Sequence, residues 1–404
     1  MSEPGVEVGH NDRVQPLTAS DPGEITLANW QSEASVAWSF QHLDELIPTA
    51  SIPASGTPSI LESVPTPVGH IPVTASDGWQ GTVADVMATT FTDGWALWRQ
   101  GALIAEEYPA GMAPHTRHLL MSVSKSLMGM VVGELIERGV LDPASPVEYV
   151  IPQLAGTGYA GATVRDVLDM RTGIGFSETY LDPHAEVRLM EQAIGWAPRV
   201  DVGVADTLYG FLADLRAVRP HGGAFEYRSC ETNLLGWLCE AATGIPTARL
   251  ISELLWAPMG AEFDAYVGVD TVGSAVVDGG VCATVRDLIR FGVLLLKGGV
   301  SDFGAQVVPA SWIEDTWTGG ADSVEAFSGS PTVTLMPGGM YRNQCWFPHA
   351  ERDVLLCLGI HGQMVYVNRR TGLVAAKVSS WPQPQDAWKL FTTVAAFDAI
   401  GADM

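Results

Sequence analysis

The chain has 404 residues, 47% of them hydrophobic, and a formal net charge of −24, enough to bury the core of a large enzyme with two lobes. Its acidity excludes nucleic acid as a partner, because phosphate binding needs a basic surface to displace counterions, and it tolerates cationic or zwitterionic small molecules better than polyanions. No apolar run approaches the roughly 20 residues that cross a bilayer, so no membrane segment is expected.

The opening Met1-Ser-Glu-Pro-Gly-Val-Glu7 has neither the basic start nor the apolar core of a secretion signal. Five cysteines, at 230, 239, 282, 345 and 357, are odd in number and lack metal-ligand spacing. They read as small apolar packing residues in a reducing compartment, which makes the cytoplasm the expected location.

In chain order, a helix is predicted over Trp38 to Leu46, and the Pro- and Ser-rich run Ala50 to Pro58 reads as a loop or linker. Ala96 to Arg99 and Leu103 to Glu106, separated by Gln100-Gly101, predict a hairpin. A long helix follows, opening at Met121-Ser-Val-Ser-Lys-Ser-Leu-Met128 and stopping at Gly139 before Leu141-Asp142-Pro143. The middle of the chain is mostly helical in pattern with long loops. At the far end Val354 to Ile360, Met364 to Val367 and Leu373 to Val378 predict three strands, with a turn over Asn368 to Gly372, and a helix over Trp388 to Ile400 closes the chain.

Ser122 and Lys125 carry the chemistry of the long helix. Three residues apart on a helix they share one face, so the amine can ease deprotonation of the hydroxyl. Ser-x-x-Lys alone is a weak signal, but this chain has only four lysines, at 125, 297, 377 and 389. The bland alternative is a capping serine beside a solvated lysine. It is opposed by apolar residues at helical spacing on both sides: Leu119, Leu120 and Met121 before the pair, then Leu127, Met130, Val131 and Leu135. Ser126, Gly129 and Gly133 continue the Ser122 face with small residues. Glycine inside a helix costs about 1 kcal/mol relative to alanine, which predicts close packing there.

His118-Leu-Leu-Met-Ser-Val-Ser-Lys-Ser126 with Gly139-Val-Leu-Asp142 downstream resembles the penicillin-recognising serine hydrolases, which include class C β-lactamases, D-alanyl-D-alanine peptidases and related esterases. More narrowly, the chain is similar to the 6-aminohexanoate-dimer hydrolases, which cleave nylon oligomers. The similar features run from Leu27-Ala-Asn-Trp30 through Asp166-Val-Leu-Asp-Met170, Tyr180-Leu-Asp-Pro183, Gly195-Trp196, Asp278-Gly-Gly280 and Ile360-His-Gly-Gln363 to Ser379-Ser-Trp-Pro382. The resemblance implies an α/β fold with a helical insertion, an antiparallel sheet flanked by helices plus a mainly helical lobe. Residues 1–120 and 341–404 would form the α/β part and 121–340 the helical lobe.

The resemblance also implies roles. Tyr227, in Tyr227-Arg228-Ser229, would face the nucleophile and shuttle its proton. A free phenol with a pKa of about 10 is too weak an acid for that at neutral pH, so Lys125 is expected to favour the phenolate. Ile360-His361-Gly362-Gln363 would form the other cleft wall, with backbone N–H groups near Ser122 and Gln363 as the oxyanion hole, Gly362 admitting substrate to the strand edge and His361 within hydrogen-bonding reach of the site. Tyr180 would close over substrate on a mobile loop and contact the scissile amide nitrogen. Glu191 falls where an acidic residue meets a substrate amine, and Asp278 stands where Asn or His is usual, either as a second anchor for ammonium or as a residue that spoils the amide-binding geometry. Trp346 and Trp381 would line the acyl pocket. The Lys-Thr-Gly that helps hold the penicillin carboxylate is missing, so strong β-lactamase activity is not expected.

The resulting expectation is a serine hydrolase that cleaves linear amides or esters of small ω-amino or carboxylic acids through an acyl-enzyme, in the manner of the 6-aminohexanoate-dimer hydrolases it resembles; a carboxylesterase of the same fold with little amidase or β-lactamase activity is the alternative. No metal or organic cofactor is implied: the chain has no His-Glu-x-x-His and no nucleotide-binding glycine motif between strand and helix. Ser122 also lacks a Gly-x-Ser-x-Gly elbow, which disfavours an α/β-hydrolase. A homodimer is compatible with the resemblance.

Overall fold

Gln100 and Gly101, with φ of 51° and 94°, turn the chain between strands Thr92–Arg99 and Ala102–Glu107, the hairpin expected from the Gln-Gly pair. In the computed structural model, which describes residues 25–54 and 56–404, this hairpin joins the C-terminal strands in one sheet. The opening segment read for a secretion signal and Ser55 lie outside the described residues.

The sheet has eight strands in the order Met340–Arg342, Cys345–Phe347, Val354–Gly359, Gln363–Asn368, Leu373–Ser379, Thr92–Arg99, Ala102–Glu107, Glu62–Ser63. All neighbours are antiparallel except the last pair. Alternation along Thr92–Arg99 sends Trp95 and Leu97 to one face, where Val86, Tyr366 and Phe397 pack, and Ala96 and Trp98 to the other, against Phe291, Val365 and Val374. The helices Val83–Thr89 and Ala387–Asp403 supply the first face and the helix Val285–Leu296 the second. The expected α/β architecture, a sheet drawn from both ends of the chain with helices between, is the one observed.

Two local expectations fail. The predicted helix over Trp38 to Leu46 is two single turns, Val36–Ser39 and Leu43–Leu46. The run at Ala50 does not begin as a loop: Thr49–Ile52 is a strand paired antiparallel with Ala265–Gly268. Its pairing partner lies more than 200 residues away, beyond the reach of local pattern.

That pairing belongs to a second sheet, ordered Thr49–Ile52, Ala265–Gly268, Val281–Ala283, His118–Leu119. This sheet delivers Ser122. Leu120 N–H donates to Val281 O at 2.8 Å, and the chain then passes through Met121, in the left-handed region with φ 46°, into the helix Val123–Glu137. The turn Asp278-Gly279-Gly280 precedes the strand beside His118–Leu119, so Asp278 is brought next to the start of that helix.

The small-residue face of the helix is packed as its glycines require. A side chain at Gly129 would overlap the Asn343 carbonyl, and one at Gly133 the Trp312 ring. Trp312 Nε1 donates to Gly129 O at 3.1 Å, and Ser126 Oγ donates to Gln344 O at 2.7 Å. Close approach and two hydrogen bonds offset the helix-propensity cost.

Candidate active site

Ser122 occupies the N-cap of its helix, yet its side chain makes no capping bond. Lys125 is 1% exposed. Both facts remove the bland reading of the pair. Instead Lys125 Nζ donates to Ser122 Oγ at 3.0 Å, to Ser229 Oγ at 3.0 Å and to the Asp278 carbonyl at 2.6 Å. Three acceptors use the three donors of an ammonium, which fixes the nitrogen beside the serine oxygen.

Burial pushes the Lys125 pKa down, because a desolvated ammonium is costly, while the charges of Asp278 and Glu178 push it back up. The Asp278 carboxylate lies 4.0 Å from Nζ, and its Oδ1 is buried without a hydrogen-bond partner among the described residues. Glu178 accepts the Ser229 backbone N–H; burial raises its carboxyl above the ordinary range against the pull of Lys125.

The Tyr227 ring lies 5.2 Å from Lys125 Nζ and packs against Trp346 with centroids 5.1 Å apart. The phenolate expectation is corrected here. Burial and the charge of Glu178 hold the Tyr227 pKa well above its ordinary value, and a hydrogen bond with Ser122 only partly opposes them. At neutral pH Tyr227 is a phenol, so the group with a lowered pKa beside Ser122 is the amine.

Tyr227 is held from below by its neighbour. Arg228 is fully buried, with Glu231 at 3.3 Å, Glu226 at 2.6 Å and the Thr172 carbonyl at 2.9 Å. Burial raises the Glu231 pKa to about 7 despite this partner. Ser229, two residues past Tyr227, starts the helix Ser229–Thr243, which packs against Val123–Glu137. The pattern Tyr-Arg-Ser thus encodes a phenol, an anchor and a lysine acceptor on three successive residues.

A cavity of about 910 Å³ opens over Ser122, with Tyr180, Tyr227, Trp346, Gln363 and Trp381 in its walls. Gly362, at φ 91°, sits where a side chain would run into the Trp381 ring. His361 is placed otherwise: it is 1% exposed, does not line the cavity, and bonds through Nδ1 to the Trp381 carbonyl at 2.7 Å. Burial pushes its pKa down to about 4. Gln363 clasps the next strand, Nε2 donating to Ser379 O at 2.7 Å and Oε1 accepting from Ser379 N–H at 3.0 Å.

The structure brings together Ser122, Lys125, Tyr227, Asp278, Tyr180, Trp346, Gly362 and Gln363. It keeps Glu191 apart. That carboxylate takes both oxygens to Arg188, at 2.7 and 2.8 Å, and accepts Gln31 Nε2 at 2.9 Å, outside the cavity lining. Two members escaped the reading of the sequence as lysine partners, Ser229 and Glu178; the triplet ending at Ser229 was the one available signal. Among the described residues no cluster of three or more His, Cys, Asp or Glu side chains could hold a metal ion, and no helix is long and apolar enough to cross a membrane.

Residues 79–397 match the family model described as Beta-lactamase. The chain belongs to the beta-lactamase family. It is an enzyme with the serine-hydrolase fold of that family. Over 365 residues, 90% of each chain, it is 40% identical to a 6-aminohexanoate-dimer hydrolase of Paenarthrobacter ureafaciens. In three dimensions it is similar to a Bacillus anthracis chain described as a 6-aminohexanoate-dimer hydrolase, with TM-score 0.87 at 24% identity over 96% of this chain and 98% of that one. A family VIII carboxylesterase aligns with TM-score 0.58 at 15% identity, covering 78% and 96% of the two chains; at such identities the likeness is one of fold.

Proposed function

We propose that this family member hydrolyses linear amides of short ω-amino acids, 6-aminohexanoate dimer being the reference substrate, through an acyl-enzyme on Ser122. The observation that carries this reading is the buried Lys125 to Ser122 hydrogen bond of 3.0 Å at the floor of the cavity. The 40% identical relative supplies the substrate class.

In the proposed cycle a neutral Lys125 accepts the Ser122 proton as Oγ forms its bond to the carbonyl carbon. Backbone N–H groups near Ser122 and Gln363 receive the oxyanion. The C–N bond then breaks as the Tyr227 phenol donates its proton to the leaving nitrogen and regains one from Lys125. Water attacks the ester, its proton returns through the same groups, and the acid leaves. Tyr180 is assigned the hydrogen bond to the scissile nitrogen.

The charges around the cavity support an amine-bearing substrate. No lysine or arginine is among the described lining residues, whereas Glu178 and Glu186 are, together with Glu226 and Asp386, which are paired with Arg228 and Lys389. The Asp278 carboxylate, 4.0 Å from Lys125 Nζ, adds a further negative charge behind Ser122. A penicillin carboxylate meets the wrong sign. All five cysteines are buried and free of disulfides, which supports a reducing compartment such as the cytoplasm.

Parallel assays with linear 6-aminohexanoate dimer, a p-nitrophenyl ester of a short acid and nitrocefin test the reading. Turnover of the dimer with little nitrocefin cleavage is expected; ester cleavage without amide cleavage would establish the esterase alternative.

A further inference from the structure

The segment that carries Tyr180 is fastened at both ends to one short helix, Glu186–Ala193. At its start, Glu186 Oε2 accepts Ser177 N–H at 2.9 Å, and Val187 N–H donates to Ser177 O at 3.2 Å. At its end, Arg188 Nε donates to the Tyr180 carbonyl at 2.8 Å, and the guanidinium stands over the Tyr180 ring at 5.8 Å. The same guanidinium gives its Nη1 to both oxygens of Glu191 and to Gln31 Oε1 at 3.2 Å. Gln31 closes the circuit by donating to Glu191 at 2.9 Å.

We infer that Arg188 is a positioning residue for Tyr180, and that Glu191 and Gln31 act on the reaction only by holding Arg188. The inference rests on the assignment of Tyr180 to the scissile nitrogen. It replaces direct recognition of a substrate amine by Glu191: with both oxygens engaged by a guanidinium and a third donor from Gln31, that carboxylate offers no free charge to substrate. The arginine fork matters because Nε must reach a carbonyl while Nη1 reaches a carboxylate in a different direction. A lysine has one nitrogen for both tasks.

Tyr180 is 8% exposed and packed in the wall, and its hydroxyl shares a hydrogen bond with the Glu178 carboxyl, so it is placed by that contact together with the backbone that Arg188 holds. Releasing the carbonyl from Arg188 lets the segment drift, and drift at a proton-positioning group costs rate on the substrate whose leaving group needs that proton. An amine leaving group needs it; a p-nitrophenolate does not. The signature is therefore a fall in kcat/KM on the amide with the ester largely spared.

A double-mutant cycle tests this. Arg188→Gln should lower amide kcat/KM by about tenfold or more, change ester turnover less than about threefold, and cost almost nothing further in a Tyr180→Phe background. Glu191→Gln should lower amide kcat in the same direction without raising KM selectively for the amino substrate. If Arg188→Gln folds poorly, as read by its melting curve and by stoichiometric phosphonate labelling of Ser122, the cycle is run with Arg188→Lys, which keeps the charge and loses the fork. Equal losses with and without the Tyr180 hydroxyl, or equal losses on amide and ester, would overturn the inference. A Tyr180→Phe enzyme that loses amide and ester turnover alike would instead overturn the assignment of Tyr180, and a selective Tyr180→Phe with uncoupled Arg188 variants would overturn the role of Arg188 alone.

Discussion

Asp278 meets Lys125 twice, through its carbonyl at 2.6 Å from Nζ and through its carboxylate at 4.0 Å. The carbonyl contact survives any change of side chain. The carboxylate contact does not, and it decides how readily the amine gives up its proton, since the charge of Asp278 raises the Lys125 pKa against the lowering effect of burial.

Asp278→Asn therefore makes a clean test of which group is the base. Removing the negative charge lowers the Lys125 pKa further, so a larger fraction of the amine is neutral at a given pH. The acid limb of the kcat/KM profile should move to lower pH, and Glu178→Gln should move it the same way. A limb that stays put, or moves to higher pH, would mean that Lys125 does not act as the neutral base.

Arg228 and Glu231 form a buried pair, both side chains 0% exposed. Removing one partner of such a pair strands a charge in low dielectric. Arg228→Met should destabilise the fold by about 3–5 kcal/mol, read as a loss in the denaturant midpoint. Arg228→Met with Glu231→Gln should recover part of that loss, because the stranded carboxylate is gone. A neutral single mutant would show that the pair is not what anchors Tyr227.

His361 predicts an acid sensitivity whose sign is fixed by its burial. Unfolded, a histidine takes up a proton near pH 6.5; folded, this one stays neutral until about pH 4. Between those values the unfolded state binds more protons, so stability is lost as pH falls through that window, by up to about 3 kcal/mol from this group. Thermal midpoints of His361→Gln should fall less steeply from pH 7 to pH 4 than those of the native chain; parallel slopes would exclude His361 as a source.

How far the sequence carried can be judged residue by residue. Ser122 and Lys125 were legible because a helix fixes their spacing, and Tyr227 because the resemblance marks its triplet. The Gln100-Gly101 hairpin and the strands from Val354 to Ser379 were legible because turn residues and apolar runs are local signals. Lys125's acceptors were not, since Ser229 and the Asp278 carbonyl come from elements more than 100 residues away. Glu191 misled for a related reason: counting placed it at a substrate-facing position, but an arginine three residues earlier on the same helix claims its carboxylate. The protonation of Tyr227 was misjudged because burial and the charge of Glu178, which no spacing reports, outweigh the hydrogen bond with Ser122.

The central claim, that Ser122 is the nucleophile, is tested most directly by intact-protein mass spectrometry after a brief exposure to a p-nitrophenyl ester and acid quench. One acyl group per chain should appear, map to the peptide that carries Ser122, and vanish together with turnover in a folded Ser122→Ala protein. An adduct on another residue, or a folded Ser122→Ala enzyme that still hydrolyses the substrate, would contradict the account.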